Sequence, residues 1–149
     1  MITRQILLIA GLFASAAITA YSADSGNGSQ SGPTGRWLTE AGTLEVEIAS
    51  SGEALNGTVA RVISTRSMSG SKEAPAADGS ALMGMKILQN LVPSGKDEWK
   101  GSIYNRENGK TYDCVVTFVP PDQLNVRGYK MLPLFGKTQV WHRVTAGSP

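Results

Sequence analysis

The chain has 149 residues, a length that suits one folded domain rather than two. Its 14 basic and 12 acidic residues give a formal net charge of +2, so the overall charge gives no electrostatic footprint for nucleic acid or for an anionic membrane. The single cysteine, Cys114, excludes an intramolecular disulfide, so the fold has to be held by its apolar core.

Residues 1–22 have the pattern of a secretory signal peptide. Arg4 precedes an apolar run over residues 6–20, and the small residues Ala20 and Ser22 follow it. The run is shorter than the roughly 20 residues that a membrane-spanning helix needs, and no cysteine near the cut could carry a lipid. We therefore expect cleavage after Ser22 or one residue later, export to the periplasm or the exterior, and no stable membrane insertion after cleavage.

The folded domain is predicted to be an all-β, antiparallel up-and-down barrel over residues 35–145. Residues 23–34 are small and polar, which is typical of a flexible leader. From Trp37 onward, short runs that alternate apolar and polar residues recur between turn signals, and TLEVEIAS at 43–50 is the clearest example. We count about eight such strands and no convincing long helix. Eight strands are enough for a sheet to close into a small barrel.

The middle of the chain contains further signals of strands, turns and one long loop. Gly57 interrupts a strand and predicts a bulge or a close approach of two backbones. Residues 64–80 are polar without periodicity, and a loop of that length is typical of a lid, a binding loop or disorder. Residues 81–93 suit either a strand after a turn or a short helix, and we favour the strand. Residues 98–118 are predicted to form a hairpin, with Asn108-Gly109 in its turn.

The two ends of the domain predict a structural lock. Closing a barrel makes its first and last strands neighbours, so Trp37 and Arg143 should meet. An arginine over an indole is worth about 0.5–2 kcal/mol, and Gly35 allows a tight entry into the first strand. We predict that Gly35, Trp37 and Arg143 form this lock, with Arg127 as the competing cation.

A resemblance to a known family rests on six motifs in a fixed order. They are GRWLTE, LNGTVARV, LMGMKILQNL, EWKGSIYNRENGKTY, LNVRGY and LFGKTQVWHR. Over Gly35 to Arg143 the chain resembles the exported bacterial family called domain of unknown function 2147 (DUF2147), with a lipocalin-like, calycin-type barrel. The resemblance implies export and small-ligand binding, and it implies no catalytic residues.

Two departures from the family pattern bear on the fold. The family usually has Asp-Pro where this chain has Asn105 and Arg106, which predicts a less rigid hairpin turn here. Many members also carry a second cysteine in the neighbourhood of Tyr129 and Phe135. This chain has none there, so no family disulfide is carried over.

The inward face of the strands predicts the site. It is apolar with one phenol, so a cavity inside the barrel would accept a small apolar or lipid-like ligand, with loop 64–80 as its rim. The predicted interior residues are Leu44, Val46, Ile48, Leu55, Val59, Ile63, Tyr112, Val116, Phe118 and Val126.

A barrel of this size can instead be filled by its own side chains. The alternative is therefore a non-catalytic structural or interaction protein of the cell envelope with a solid core. Its contacts would be made by Tyr129, Met131, Leu132 and Leu134 in the segment YKMLPLFG, which also suits a cap on the barrel end.

No enzyme, metal site or cofactor is predicted. Cys114 shares an apolar strand face and is expected to be buried, whereas His142 is expected on the surface, so the pair does not favour nucleophilic catalysis. One histidine and one cysteine make a zinc site improbable. Met83 and Met85 are expected in the core rather than as copper ligands.

A carboxylate pair is the remaining catalytic option. Glu45 and Glu47 lie on the same face of one strand, as the two acids of a hydrolase could. Because they alternate with core residues, we expect both on a solvated outer face. This option is the least favoured of the three functions.

Overall fold

Eight strands and no α-helix make up the part of the chain that the computed structural model describes, residues 32–66, 81–132, 134 and 136–145. The strands are β1 (Gly35–Leu38), β2 (Leu44–Ser51), β3 (Ala54–Val62), β4 (Lys86–Gly95), β5 (Glu98–Asn105), β6 (Lys110–Val119), β7 (Gln123–Tyr129) and β8 (Lys137–Arg143). Each strand pairs antiparallel with the next, and β1 pairs with β8 to close the barrel. The predicted all-β up-and-down barrel is confirmed. The predicted signal peptide and most of loop 64–80 lie outside the described residues.

Alternation along the strands builds the core. In β2, Leu44, Val46 and Ile48 are buried, and Glu47 between two of them is exposed. Successive side chains of a strand point to opposite faces, so a period of two places every second residue inside. Each aliphatic side chain that is fully buried in this way contributes about 1.5–3 kcal/mol to folding.

The connections define two ends of the barrel. The end that we call closed contains the β2–β3, β4–β5 and β6–β7 turns and the entry into β1. The end that we call open contains the β1–β2, β3–β4, β5–β6 and β7–β8 connections. This arrangement follows from eight antiparallel strands that are joined in sequence order.

A bulge in β3 corrects one predicted interior residue. The β2–β3 register shifts between Glu45 and Val46, so one extra residue lies in β3. After the bulge the inward position passes to Val62, which packs against the core. Ile63 is 48% exposed and does not line the interior. The prediction for Ile63 is wrong because a period of two does not continue through a bulge.

Two glycines lie where strands approach closely. A Cβ at Gly57 would stand 3.0 Å from the Cβ of Leu88, and the β3–β4 register shifts on both sides of Gly57, in agreement with the bulge that was one of the two predictions there. A Cβ at Gly101 would stand 2.5 Å from the carbonyl oxygen of Gln89. Gly101 faces an irregular part of β4, where Asn90 has a positive φ of 53°. Only glycine fits this contact, because the opposing atoms belong to the backbone.

The β5–β6 turn is anchored rather than loose. The side chain of Arg106 is fully buried, and its Nη2 donates a hydrogen bond to the carbonyl oxygen of Arg66. Asn105 Oδ1 accepts a hydrogen bond from the backbone N–H of Glu107 at 2.9 Å. The turn is therefore tied to the β3–β4 connection through Arg106.

Candidate functional site

The closed end brings together the three residues of the predicted lock. Trp37 is fully buried, and its Nε1 donates to the carbonyl oxygen of Pro33 at 2.8 Å. The guanidinium carbon of Arg143 lies 4.3 Å from the centre of the Trp37 ring. Gly35 has a φ of 116°, a conformation that residues with a Cβ rarely adopt. The competing cation, Arg127, bonds to the β7–β8 connection instead.

Arg143 also fixes the backbone around the closed end. Its guanidinium donates to the carbonyl oxygens of Gly32 at 2.7 Å, Thr34 at 2.8 Å and Pro121 at 3.3 Å. Burial lowers the pKa of Arg143, and the carboxylate of Asp122 opposes that shift. Residues 32–34 were assigned to the flexible leader by their composition, but the carbonyl groups of Gly32 and Thr34 bond to this arginine and that of Pro33 bonds to Trp37. The ordered structure therefore begins before the first strand.

Most of the predicted ligand-binding residues belong to one solid core. The rings of Trp37 and Phe118 meet edge to face, with centroids 6.3 Å apart and planes at 78°. Leu124 and Trp141 are fully buried in the same cluster. The predicted residues in this cluster are Leu44, Val46, Ile48, Val59, Val116 and Phe118, with Leu55 packed against them. They pack against one another, and the cavity described next is bordered by other residues.

A cavity of about 420 Å³ lies at the open end, between β5, β6, β7 and β8. Its volume falls within the range of about 300–1,000 Å³ that is usual for small-molecule sites. Of the predicted interior residues, Tyr112 and Val126 border it. The cavity is lined by Ile103, Tyr104, Asn105, Tyr112, Val126, Gly128, Tyr129, Lys130, Lys137 and Gln139.

The cavity wall combines an apolar surface with hydrogen-bond donors. Ile103 and Val126 supply the apolar part, and Gly128 leaves space because it has no side chain. Gln139 Oε1 accepts a hydrogen bond from Trp141 Nε1 at 3.0 Å, so the Gln139 amide keeps its Nε2 hydrogens for another partner. Lys137 adds a cation, and no Asp or Glu is among the described residues that line the cavity. The wall therefore favours an acceptor or an anion.

The rim of the cavity holds Tyr112 in place. Asn108 Nδ2 donates to the Tyr112 hydroxyl oxygen at 2.8 Å. The ammonium group of Lys130 lies 5.4 Å from the centre of the Tyr112 ring, within the range of a cation–π contact. Because the phenol accepts from Asn108, its own O–H remains a donor that can turn toward the cavity.

The side chains with reactive chemistry lie elsewhere. Cys114 is fully buried, and this burial, together with the carboxylate of Asp113, raises the pKa of the Cys114 thiol to about 12. His142 is exposed on the outer face of β8. Within residues 32–66, 81–132, 134 and 136–145, no group of three or more His, Cys, Asp or Glu side chains could hold a metal ion. Over the same ranges, no helix is long and apolar enough to cross a membrane.

Glu45 and Glu47 share the outer face of β2, but their environments differ. The side chain of Glu47 is 55% exposed, whereas that of Glu45 is 7% exposed. Arg61 Nη1 donates to Glu45 Oε1 at 3.1 Å, and Arg36 Nη1 lies 3.6 Å from Glu45 Oε2. The prediction of a solvated face is therefore wrong for Glu45, because the two arginines that flank it on β1 and β3 cover its carboxylate.

The predicted interior list omitted the polar residues that shape the cavity. Lys137 and Gln139 lie on the inner face of β8, four and two positions before Trp141, respectively. The alternation in KTQVWHR already places Lys137, Gln139, Trp141 and Arg143 on one face of a strand. That signal was present in the sequence. It was missed because only apolar residues were assigned to the interior.

A closed eight-stranded antiparallel barrel that is filled at one end and holds a cavity at the other defines a lipocalin-like protein. The chain belongs to the bacterial family described as "Uncharacterized protein conserved in bacteria (DUF2147)", which matches residues 35–143. It is also similar to a solved structure described as protein HP1028 from the human pathogen Helicobacter pylori, which belongs to the lipocalin family. The two are 22% identical over 75% of this chain and 82% of that chain, with a TM-score of 0.55, so the likeness concerns the fold alone. No curated protein matches the chain.

Proposed function

We propose that the protein binds a small amphipathic ligand in the cavity at the open end. The apolar body of the ligand would lie against Ile103 and Val126, and an anionic or acceptor group would bind Lys137 and Gln139. The observation that carries this proposal is a cavity of about 420 Å³ whose wall combines an apolar surface with donors. No carboxylate from the described residues lines it.

The cavity wall favours an amphipathic ligand over a purely apolar one. An apolar molecule would cover Gln139 and the stem of Lys137 without offering a partner to either polar group, and an unpaired buried polar group costs about 1–3 kcal/mol. A carboxylate would bond to both, and charge-assisted hydrogen bonds are about twice as strong as neutral ones. This refines the apolar or lipid-like ligand that the strand alternation predicts.

We also propose that the protein acts outside the cytoplasm and does not catalyse a reaction. The buried thiol of Cys114 holds its proton, and His142 lies on the outer face, so neither group is offered to a ligand in the cavity. Export is supported by the signal-peptide pattern of residues 1–22. An exported carrier or sensor of a small molecule is consistent with both features.

The first test is whether the protein already carries a ligand. Native mass spectrometry of protein purified without detergent would be compared with mass spectrometry of its organic extract. We expect an added mass that reappears in the extract as an amphipathic acid or a similar acceptor. For a bare protein, calorimetric titration with decanoate and with decanol comes next, and we expect decanoate to bind about tenfold more tightly, or about 1.4 kcal/mol.

Two variants locate the binding site. Gly128→Val places side-chain atoms in the cavity, where a Cβ would stand 3.1 Å from Ile103 Cγ2 and would meet no backbone atom within 4 Å. Lys137→Met removes the cation but keeps the length of the side chain. We expect the first to abolish binding and the second to remove the preference for decanoate over decanol. Lys100→Met, on the exposed face of β5, is the matched control and should bind like the wild type.

The proposal fails if no compound binds and the purified protein is bare. It also fails if decanoate binds equally well to the wild type and to Gly128→Val. The remaining candidate would then be an interaction protein with a solid core.

A further inference from the structure

The open end also displays an exposed apolar surface. We call Met131, Leu132 and Leu134 the apolar tip; their exposed fractions are 92%, 57% and 79%. Ile63 and Met83, on the β3–β4 connection at the same end, are exposed as well, although the sequence placed both inside the barrel. A surface of this kind marks a site of interaction when it is contiguous. The tip lies beside the mouth of the cavity, because Lys130 and Lys137, which flank the tip in the chain, line the cavity.

The backbone of the tip is held in an outward conformation. Met131 has a φ of 66°, and the N–H of Leu132 donates to the carbonyl oxygen of Lys130 at 2.8 Å. Arg127 Nη2 donates to the carbonyl oxygen of Leu134 at 3.2 Å. These bonds tie the tip at both sides while its apolar side chains face solvent. The tip is therefore displayed, and it does not fold down as a cap over the cavity.

The charged residues of the chain segment that carries the tip are of one sign. From Gln123 to the end of β8 at Arg143, the chain contains no Asp or Glu. Lys130 and Lys137 flank the tip and are exposed. The net charge of the whole chain, +2, does not reveal this local excess of positive charge.

Carboxylates at the open end belong to other elements. Glu40 lies on the β1–β2 connection and Glu107 on the β5–β6 turn, and Asp113 on β6 pairs in register with Tyr129 on the outer face. None of them belongs to the hairpin that carries the tip. The cationic excess therefore lies beside the exposed apolar side chains.

We propose that the open end docks on the surface of a bilayer that contains anionic lipid. The apolar tip enters the boundary between headgroups and acyl chains, and Lys130 and Lys137 bind lipid phosphates. Apolar side chains flanked by lysines suit this interface, because the lysine stems lie along apolar surface while the ammonium groups remain at the headgroups. Lysines near an anionic surface add an attraction that salt screens.

A bilayer fits the tip better than a protein partner. A stable protein interface buries about 800 Å² on each side, which takes some 20–30 residues. Three side chains on one connection supply much less, whereas a bilayer can take up a few apolar side chains without a complementary shape. Docking of this kind would also bring the mouth of the cavity onto the membrane. It goes beyond the proposed ligand binding and does not require that the cavity be filled.

The test uses the full chain with a fluorescent label at one position. Leu134→Cys is labelled with an environment-sensitive nitrobenzoxadiazole dye, because Cys114 is buried and should not react. Vesicles consist of phosphatidylcholine alone or of phosphatidylcholine mixed with phosphatidylglycerol. We expect a blue shift and a severalfold rise of emission with the mixed vesicles, and a smaller change with phosphatidylcholine or at high salt.

A label at Val119→Cys, at the closed end, is the matched control. The apolar run at residues 6–20 could itself hold the chain on a vesicle, and the control label would report such binding. We expect no change at position 119. Met131→Ser with Leu132→Ser should reduce the signal at position 134 severalfold, whereas Gly128→Val should leave it unchanged, which separates docking from ligand binding.

Three results would overturn docking. One is an unchanged emission at position 134 while the protein sediments with the vesicles. Another is an equal change at positions 119 and 134. The third is a change without vesicles that grows with protein concentration, which would show that a second copy of the chain covers the tip.

Discussion

The guanidinium group of Arg143 links the last strand to the first through the ring of Trp37, at 4.3 Å. The same group lies 5.7 Å from the ring of Phe118 and binds the carbonyl oxygens of Gly32 and Thr34. One side chain thus joins β8 to β1, to β6 and to the segment that precedes β1. Its removal should therefore affect the closure of the barrel as a whole.

Arg143→Ala is expected to lower the free energy of unfolding by about 2 kcal/mol. The variant loses a cation–π contact and charge-assisted hydrogen bonds, and it leaves carbonyl groups without a donor. Urea denaturation followed by tryptophan fluorescence measures the effect. Arg127→Ala removes an arginine from the neighbouring strand and serves as the control, with an expected loss below about 1 kcal/mol. Equal losses in the two variants would show that the contact with Trp37 does not stabilise the barrel.

Gly101→Ala is expected to destabilise the protein by more than about 2 kcal/mol. The new Cβ would stand 2.5 Å from the carbonyl oxygen of Gln89 and 2.8 Å from that of Asn90, so β4 would have to move. Gly95→Ala is the control, because its Cβ would meet the nearest atom at an ordinary 3.7 Å. Thermal unfolding compares the two variants. A neutral effect of Gly101→Ala would mean that the irregular part of β4 around Asn90 moves easily.

Cys114 should make the stability depend on pH in the alkaline range. Burial and Asp113 raise the pKa of the thiol from 9.0 to about 12 in the folded protein. Below about pH 9 the thiol is neutral in both states, and its contribution is fully present. As the pH rises from about 9 toward about 12, the unfolded chain loses this proton first, so the free energy of unfolding falls by at most about 1.4 kcal/mol per pH unit.

Cys114→Ala provides the comparison for this pH dependence. Lysines and tyrosines also titrate in the alkaline range, but they are common to both proteins, so the difference between the two stability curves isolates the thiol. We expect that difference to shrink or change sign as the pH rises above about 9. Parallel curves would contradict the prediction, as would rapid labelling of Cys114 by a maleimide in the native state.

Glu45→Gln should lower the free energy of unfolding by about 1 kcal/mol, whereas Glu47→Gln should change it by less than about 0.5 kcal/mol. The two residues differ in burial rather than in charge, since their side chains are 7% and 55% exposed. Neutralising Glu45 weakens its bond with Arg61 inside a covered site, whereas Glu47 is already in water. Urea midpoints at low and moderate salt measure both variants. Similar losses would mean that the arginines do not shield Glu45 from solvent.

The fold could be predicted from the sequence because the alternation within each strand is a local signal, and the number of strands is enough for closure. Leu44, Val46 and Ile48 identify one face of a strand, and the tryptophan near the first strand with an arginine on the last is consistent with a closed barrel. Ile63 was misplaced because a bulge depends on how two strands pair, which the residues of one strand do not specify.

The position of the cavity was harder to predict than the barrel. Whether an interior is filled depends on the volumes of side chains from several strands at one level. Trp37, Phe118 and Trp141 fill the interior near the closed end, whereas Gly128 leaves space near the open end. The burial of Glu45 was hard to predict for the same reason: it depends on residues of other strands, namely its two arginine partners on β1 and β3.

The short pairing between β1 and β8 has a dynamic consequence. These strands are in register only at Trp37 with Arg143 and at Leu38 with His142, whereas β2 and β3 pair along their full lengths. Few backbone hydrogen bonds protect this seam, so its amide hydrogens should exchange with solvent before those of β2 and β3. The barrel would then open by separation of β1 from β8, and the contacts of the Arg143 side chain would determine how often these two strands separate.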